Sequence, residues 1–203
     1  MSTIKNVAVF GYTDAKEGEP LYESAKATAR ILAQAGYVIV NGGGPGVMRA
    51  ASVGAKEAGG KAIGITFYAQ DADNFEGRDP KNPIDEEIKT ANYLERTLKL
   101  MEMGDCYLIF QGGTGTISEF GMAWGLARLY FGHHKPLVLY GKEWHTLLAC
   151  LSQTMLLRVE EKEVYRVATS PEGALAAIQK FEQALVSGSH KHLFSKGEGA
   201  FQI

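Results

Sequence analysis

The sequence predicts an α/β fold: one doubly wound, Rossmann-like domain with a mostly parallel sheet and helices on both faces. Three observations predict it. Short apolar runs alternate with amphipathic stretches of helical spacing. The crossovers between consecutive runs are long enough for right-handed βαβ units. Three of the runs end in glycine, at Gly11, at Gly42–Gly46 and at Gly112–Gly115, and sheets of this kind bind ligands at the carboxyl ends of their strands. The domain is expected over residues 1–187, followed by a polar tail over 188–203.

The elements follow in order. Ile4–Phe10 reads as the first strand, closed by Gly11 and a loop through Tyr12, Thr13, Asp14, Gly18 and Pro20. Leu21–Ala35 reads as a helix, with Ala25, Ala29 and Leu32 at helical spacing and Gly36 as its stop. Tyr37–Val40 is the second strand. Pro45 suits the first turn of the next helix, which runs to about Ala58 and stops at Gly59-Gly60. Lys61–Thr66 is the third strand. The acidic stretch Phe67–Lys89, with Pro80 and Pro83, reads as a long loop, which is either a lid or a solvated excursion.

A helix is predicted over Asn92–Met103, with Leu94, Leu98 and Met101 as its apolar stripe and Arg96 off that stripe. Cys106–Phe110 is a buried strand, and the helix after it starts near Thr114 or Thr116 and reaches about Tyr130, with Met122, Leu126 and Leu129 available for packing. Residues 132–136 form a turn, Leu137–Tyr140 a strand and Glu143–Met155 a helix. Val164–Ala168 is the last strand, and Pro171 opens a final helix to about Val186.

Composition narrows the function classes. The chain has 203 residues, enough for a sizeable core, and a formal charge of −2, which does not favour broad binding to nucleic acid or an anionic membrane. No apolar run approaches the roughly 20 residues that span a bilayer, and the opening segment lacks the pattern of a signal peptide. A cytoplasmic location is the expectation. Cys106 and Cys150 show neither zinc spacing nor a CxxC motif, so buried free thiols are expected. His133 and His134 read as turn residues, His190 and His192 as tail residues, and no metal site is expected.

The central stretch runs from Asp105 to Phe120. A strand, a glycine turn (Gly112, Gly113, Gly115) and a helix N-terminus present free N–H groups to an anion. Glu119 follows closely, so a phosphate cradle stands beside an acid. Thr116-Ile117-Ser118-Glu119 equally fits a capping box, in which the two side chains satisfy backbone donors. Other nucleotide motifs fit poorly. The glycines at 42, 44 and 46 lack G-x-G-x-x-G spacing, and Gly60-Lys61 is followed by Ala62 rather than the serine or threonine of a P-loop. A G-x-S-x-G elbow is absent.

Gly42-Gly43-Gly44-Pro45-Gly46-Val47-Met48 resembles the GGGxxGxM loop of the LOG family, the nucleoside-5′-monophosphate phosphoribohydrolases that release free cytokinin bases. Gln111-Gly112-Gly113-Thr114-Gly115-Thr116-Ile117-Ser118-Glu119 resembles that family's PGGxGTxxE signature, and Trp124–Pro136 is similar to the stretch that follows it. The chain departs from the family where Thr97 replaces a lysine after Arg96, where Gln111 replaces the signature proline, and where Tyr93-Leu94 replaces Met-His of plant-type members.

The resemblance implies hydrolysis of the N-glycosidic bond of a nucleoside 5′-monophosphate, with Glu119 and Arg96 catalytic. Substrate would lie against Gly11, Gly42, Gly43, Gly44, Gly112, Gly113, Thr114, Gly115 and Thr116. No cofactor is implied, and a homodimer is. The alternative is a non-catalytic carrier or sensor on the same fold, similar to molybdenum-cofactor carrier proteins. Thr97 and Gln111 favour it.

Overall fold

The computed structural model describes residues 4–68, 77–132 and 134–186. The tail over 188–203, with His190 and His192, lies outside them, as do His133 and part of the acidic stretch. The elements are β1 (Asn6–Phe10), α1 (Pro20–Gln34), β2 (Val38–Asn41), α2 (Val47–Glu57), β3 (Ala62–Thr66), β4 (Glu86–Lys89), α3 (Tyr93–Met103), β5 (Cys106–Ile109), α4 (Thr114–Leu129), β6 (Leu137–Tyr140), α5 (Glu143–Thr154), β7 (Tyr165–Ala168) and α6 (Pro171–Val186). A 3₁₀ turn, Val159–Lys162, precedes β7.

All seven strands are parallel, in the order β4-β3-β2-β1-β5-β6-β7. The chain winds outward from β1 to β4, then returns to lay β5 beside β1, with Val7 opposite Cys106 and Phe10 opposite Ile109. The carboxyl ends of β1 and β5 thus diverge at the switch of winding direction, where such sheets open a crevice.

Side-chain alternation along the strands separates two cores. Val7, Val9, Ile39 and Leu108 pack with α1, α2 and α6. Ala8, Phe10, Val40, Ile65 and Ile109 pack with α3, α4 and α5. The fold is therefore the Rossmann-like, two-faced domain that the alternation predicts.

Local departures have physical reasons. The stretch 67–89 contains a strand, β4, which pairs with β3 from Ile63–Glu86 to Thr66–Lys89. Its sequence, Glu-Glu-Ile-Lys, hides it, because an edge strand needs little apolar content. Pro45 lies outside α2, whose N-cap is Gly46 at φ +62°. A methyl on Gly46 would run into the Tyr12 and Thr13 carbonyl oxygens, and Val47 N donates to Tyr12 O at 2.9 Å. The loops after β1 and β2 are thereby tied together. Cys106 is buried as expected, but Cys150 is exposed, because it falls on the solvent side of α5.

Candidate active site

Two helices meet over the crevice between β1 and β5. The first is α3. Its buried stripe is Arg96, Thr97, Leu100 and Met101, whereas Leu94 is 66% exposed and Leu98 only partly covered. The stripe is rotated from the predicted one, and it carries a guanidinium inward. Asn92 caps the helix by accepting from Glu95 N at 2.9 Å. At the other end Lys135 Nζ donates to the Met101 and Glu102 carbonyls at 2.8 and 2.7 Å. The His134-Lys135-Pro136 stretch thus stitches down the helix that holds Arg96.

The second helix is α4, with Gly113 as its N-cap. Its first turn closes with Ile117 N donating to Gly113 O at 3.0 Å. The N–H groups of Thr114, Gly115 and Thr116 therefore project from the helix end without a helical acceptor. This geometry removes the capping-box reading of Thr116 and Glu119. Thr116 is already the third helical residue, Glu119 falls in the second turn, and the N-cap forms no side-chain bond. Thr116, Glu119, Phe120 and Ala123 form the inward face of α4.

Arg96 and Glu119 are each only 7% exposed, and both line a cleft of about 390 Å³ with Gly11, Tyr12, Thr13, Asp14, Met48, Tyr93 and Gly113–Thr116. The guanidinium donates through Nε to Ile65 O at 3.1 Å and lies 3.5 Å from Met48 Sδ through Nη2. Among the described residues the Glu119 carboxyl has no hydrogen bond and no ion pair within 4.0 Å. Burial raises its pKa to about 7, and the Arg96 charge opposes that rise. Burial lowers the Arg96 pKa, with Glu119 and then Tyr93 opposing. A carboxyl that ionises near neutrality, facing an open helix N-terminus and a buried cation, is equipped for proton transfer and for stabilising developing positive charge.

The predicted site residues fall into two groups. Gly11, Arg96, Gly113, Thr114, Gly115, Thr116 and Glu119 share the cleft. Gly42, Gly43, Gly44 and Gly112 are not among the residues that line it. A methyl on Gly42 would overlap the Arg96 guanidinium, and one on Gly44 would overlap the Met48 side chain. One on Gly112 would strike Thr116 Oγ1. These glycines make room for the site's side chains. Asn41 and Asn82 hold the turn: Gly43 N donates to Asn41 Oδ1 at 2.8 Å, and Asn82 Nδ2 donates to Gly44 O at 2.8 Å.

Tyr12, Thr13, Asp14, Met48 and Tyr93 also join the cleft, although none of them is among the expected site residues. Their signal is position: three directly follow β1 at its carboxyl end, Met48 closes the second glycine motif, and Tyr93 lies one helical turn before Arg96. The two departures from the family pattern differ in weight. Gln111 lies beside a separate hollow with Tyr140 and Gly141. Thr97 is buried, and its hydroxyl donates to Tyr93 O at 3.0 Å, so position 97 supplies no second cation beside Arg96.

A model of the SLOG cluster4 family matches residues 4–172. The chain belongs to that family. SLOG cluster4 is LOG-like, in agreement with the resemblance carried by the two glycine motifs. A cytokinin riboside 5′-monophosphate phosphoribohydrolase of Mycobacterium tuberculosis is 28% identical over 138 residues, 66% of this chain and 68% of the relative. Two solved structures resemble this SLOG cluster4 fold. A Moco carrier protein of Chlamydomonas reinhardtii is 25% identical with a TM-score of 0.61, covering 91% of this chain and 99% of its own. A molybdenum cofactor binding protein of Rippkaea orientalis is 24% identical with a TM-score of 0.64, covering 88% and 97%. A phosphoribohydrolase is thus among the chain's relatives, and cofactor carriers share its fold. Among the described residues no helix is long and apolar enough to cross a membrane, and no cluster of three His, Cys, Asp or Glu could hold a metal.

Proposed function

We propose that this protein hydrolyses the N-glycosidic bond of a nucleoside 5′-monophosphate, giving a free base and ribose 5-phosphate. One observation carries the reading: Glu119 and Arg96, both buried and not paired with each other, face the same cleft as the open N-terminus of α4.

The phosphate lies on the N–H groups of residues 113–116, with the Thr114 and Thr116 hydroxyls assisting. A helix N-terminus favours a negative charge by about 0.3–1 kcal/mol, so several N–H groups act together. As the C1′–N bond breaks, its electron pair goes to the base nitrogen and positive charge builds on the ribose. The Glu119 carboxylate stabilises that oxocarbenium-like centre, orients water towards C1′ and takes the water's proton, as glycosidase carboxylates do. The proton passes to the departing base, so water's oxygen and both protons are accounted for. Arg96 holds the phosphate or the carboxylate or helps the base leave. The setting is cytoplasmic, compatible with two unpaired thiols.

The protein acts as a homodimer through α4. Ile117, Gly121, Gly125 and Leu129 lie four residues apart on its exposed side. Leu156 and Val159 stand exposed beside it, where Trp124 Nε1 donates to Glu161 O at 2.7 Å.

The test is incubation of purified protein with a panel of nucleoside monophosphates, followed by chromatography for free base. Release by the wild type and not by Glu119→Gln supports the reading. No free base from any member overturns it. Thr97, which stands where the family pattern has a lysine beside the arginine, favours the second reading, a carrier of a phosphorylated ligand. Ligand kept through purification with no turnover selects that one.

A further inference from the structure

We propose that the Tyr93 hydroxyl is a phosphate ligand, held in reserve on Ser118 and transferred to the substrate when the cleft fills. The inference rests on the phosphate position given above and adds a residue that neither glycine motif contains.

The hydrogen-bond directions carry it. Ser118 Oγ donates to Gly115 O at 2.8 Å, which uses its one proton. In the 3.1 Å contact between Tyr93 Oη and Ser118 Oγ, the phenol is therefore the donor. That proton sits at the mouth of the anion cradle. Tyr93 Oη stands 3.6 Å from where a β-carbon on Gly115 would be, and the second helical residue of α4 is a glycine that leaves this gap open. A methyl on Gly113 would meet nothing within 4 Å, so the space above the turn is free. The phenol ring is edge-on to Phe67, 6.1 Å between centroids at 72°.

An anion on the turn would compete with the neutral Ser118 oxygen for this proton, and a charged acceptor makes the stronger bond. The transfer also has a structural consequence. Tyr93 lies one turn before Arg96 on α3, and Ser118 adjoins Glu119 on α4. The same hydroxyl that ties the two helices through Ser118 would tie α3 to a bound substrate.

Titration calorimetry with inorganic phosphate and ribose 5-phosphate tests this on wild type, Tyr93→Phe and Ser118→Ala. Tyr93→Phe should weaken both ligands about tenfold, the value of one hydrogen bond to a charged group. Ser118→Ala should bind them as tightly as wild type or more tightly, because the phenol then has no bond to give up. Equal weakening by both substitutions, or no weakening by Tyr93→Phe, makes the contact a brace and overturns the inference while leaving the hydrolase reading intact. A wild type that binds neither ligand overturns the phosphate position itself, and this inference with it.

Discussion

Glu119→Gln separates a functional carboxyl from a structural one through stability as well as activity. The Glu119 carboxyl has its pKa raised from 4.5 to about 7 by burial. The sign follows from linkage. The unfolded chain ionises this group near its ordinary pKa, while the fold resists ionisation until about 7, so the unfolded state gives up its proton first. Below pH 4.5 the group costs the fold nothing. The cost grows through the window between the two pKa values and levels off above 7. A shift of about 2.5 units at about 1.36 kcal/mol per unit gives about 1 kcal/mol at pH 5 and about 3 kcal/mol by pH 8. The amide of the variant does not titrate, and the charge on Arg96 persists across this range, so other differences between the two proteins form a constant offset. Urea denaturation of both proteins from pH 5 to pH 8 should show the variant gaining about 2 kcal/mol relative to wild type as pH rises. Base release by the same variant should fall by on the order of 10²-fold or more. A stability difference that stays flat across this pH range would refute the buried, proton-retaining carboxyl and the acid–base role built on it.

Other expectations are as direct. Arg96→Met removes the charge that lowers the Glu119 pKa, so the ascending limb of the pH–rate profile should move to higher pH, as a pH series of initial rates would show. Gly42→Ala places a methyl on the Arg96 guanidinium. It should lower turnover about tenfold or more, measured by base release. Leu129→Asp sets a charge on the exposed face of α4 and should convert a dimer to monomers in sedimentation, with no change in the far-ultraviolet circular dichroism of the subunit.

The sequence disclosed features set by local rules. Strand–helix alternation, Pro171 as the first residue of α6 and the glycine turn before α4 are visible because each reflects backbone chemistry within a few residues. The hidden features depend on neighbours distant in sequence. Arg96 reads as a surface residue on α3 until Ile65 O, Met48 and the space left by Gly42 are known, and those lie 31 to 54 positions away. Gly42 and Gly44 carry a second role that a glycine run does not reveal in sequence: they leave room for the Arg96 and Met48 side chains. In β4, the charges of an outer strand outweigh the single inward Ile88.

That outer strand has a consequence for how copies of the molecule meet. An open row of backbone donors and acceptors invites another chain to extend the sheet, the first step towards a fibril. On β4, Glu86, Glu87 and Lys89 are unburied along that border, and Lys61 holds Glu86 through a 2.7 Å ion pair. A second β4 laid alongside in parallel register would bring Glu86 and Glu87 against their own copies, carboxylate against carboxylate. Continuous ribbon growth in that arrangement is disfavoured at this margin.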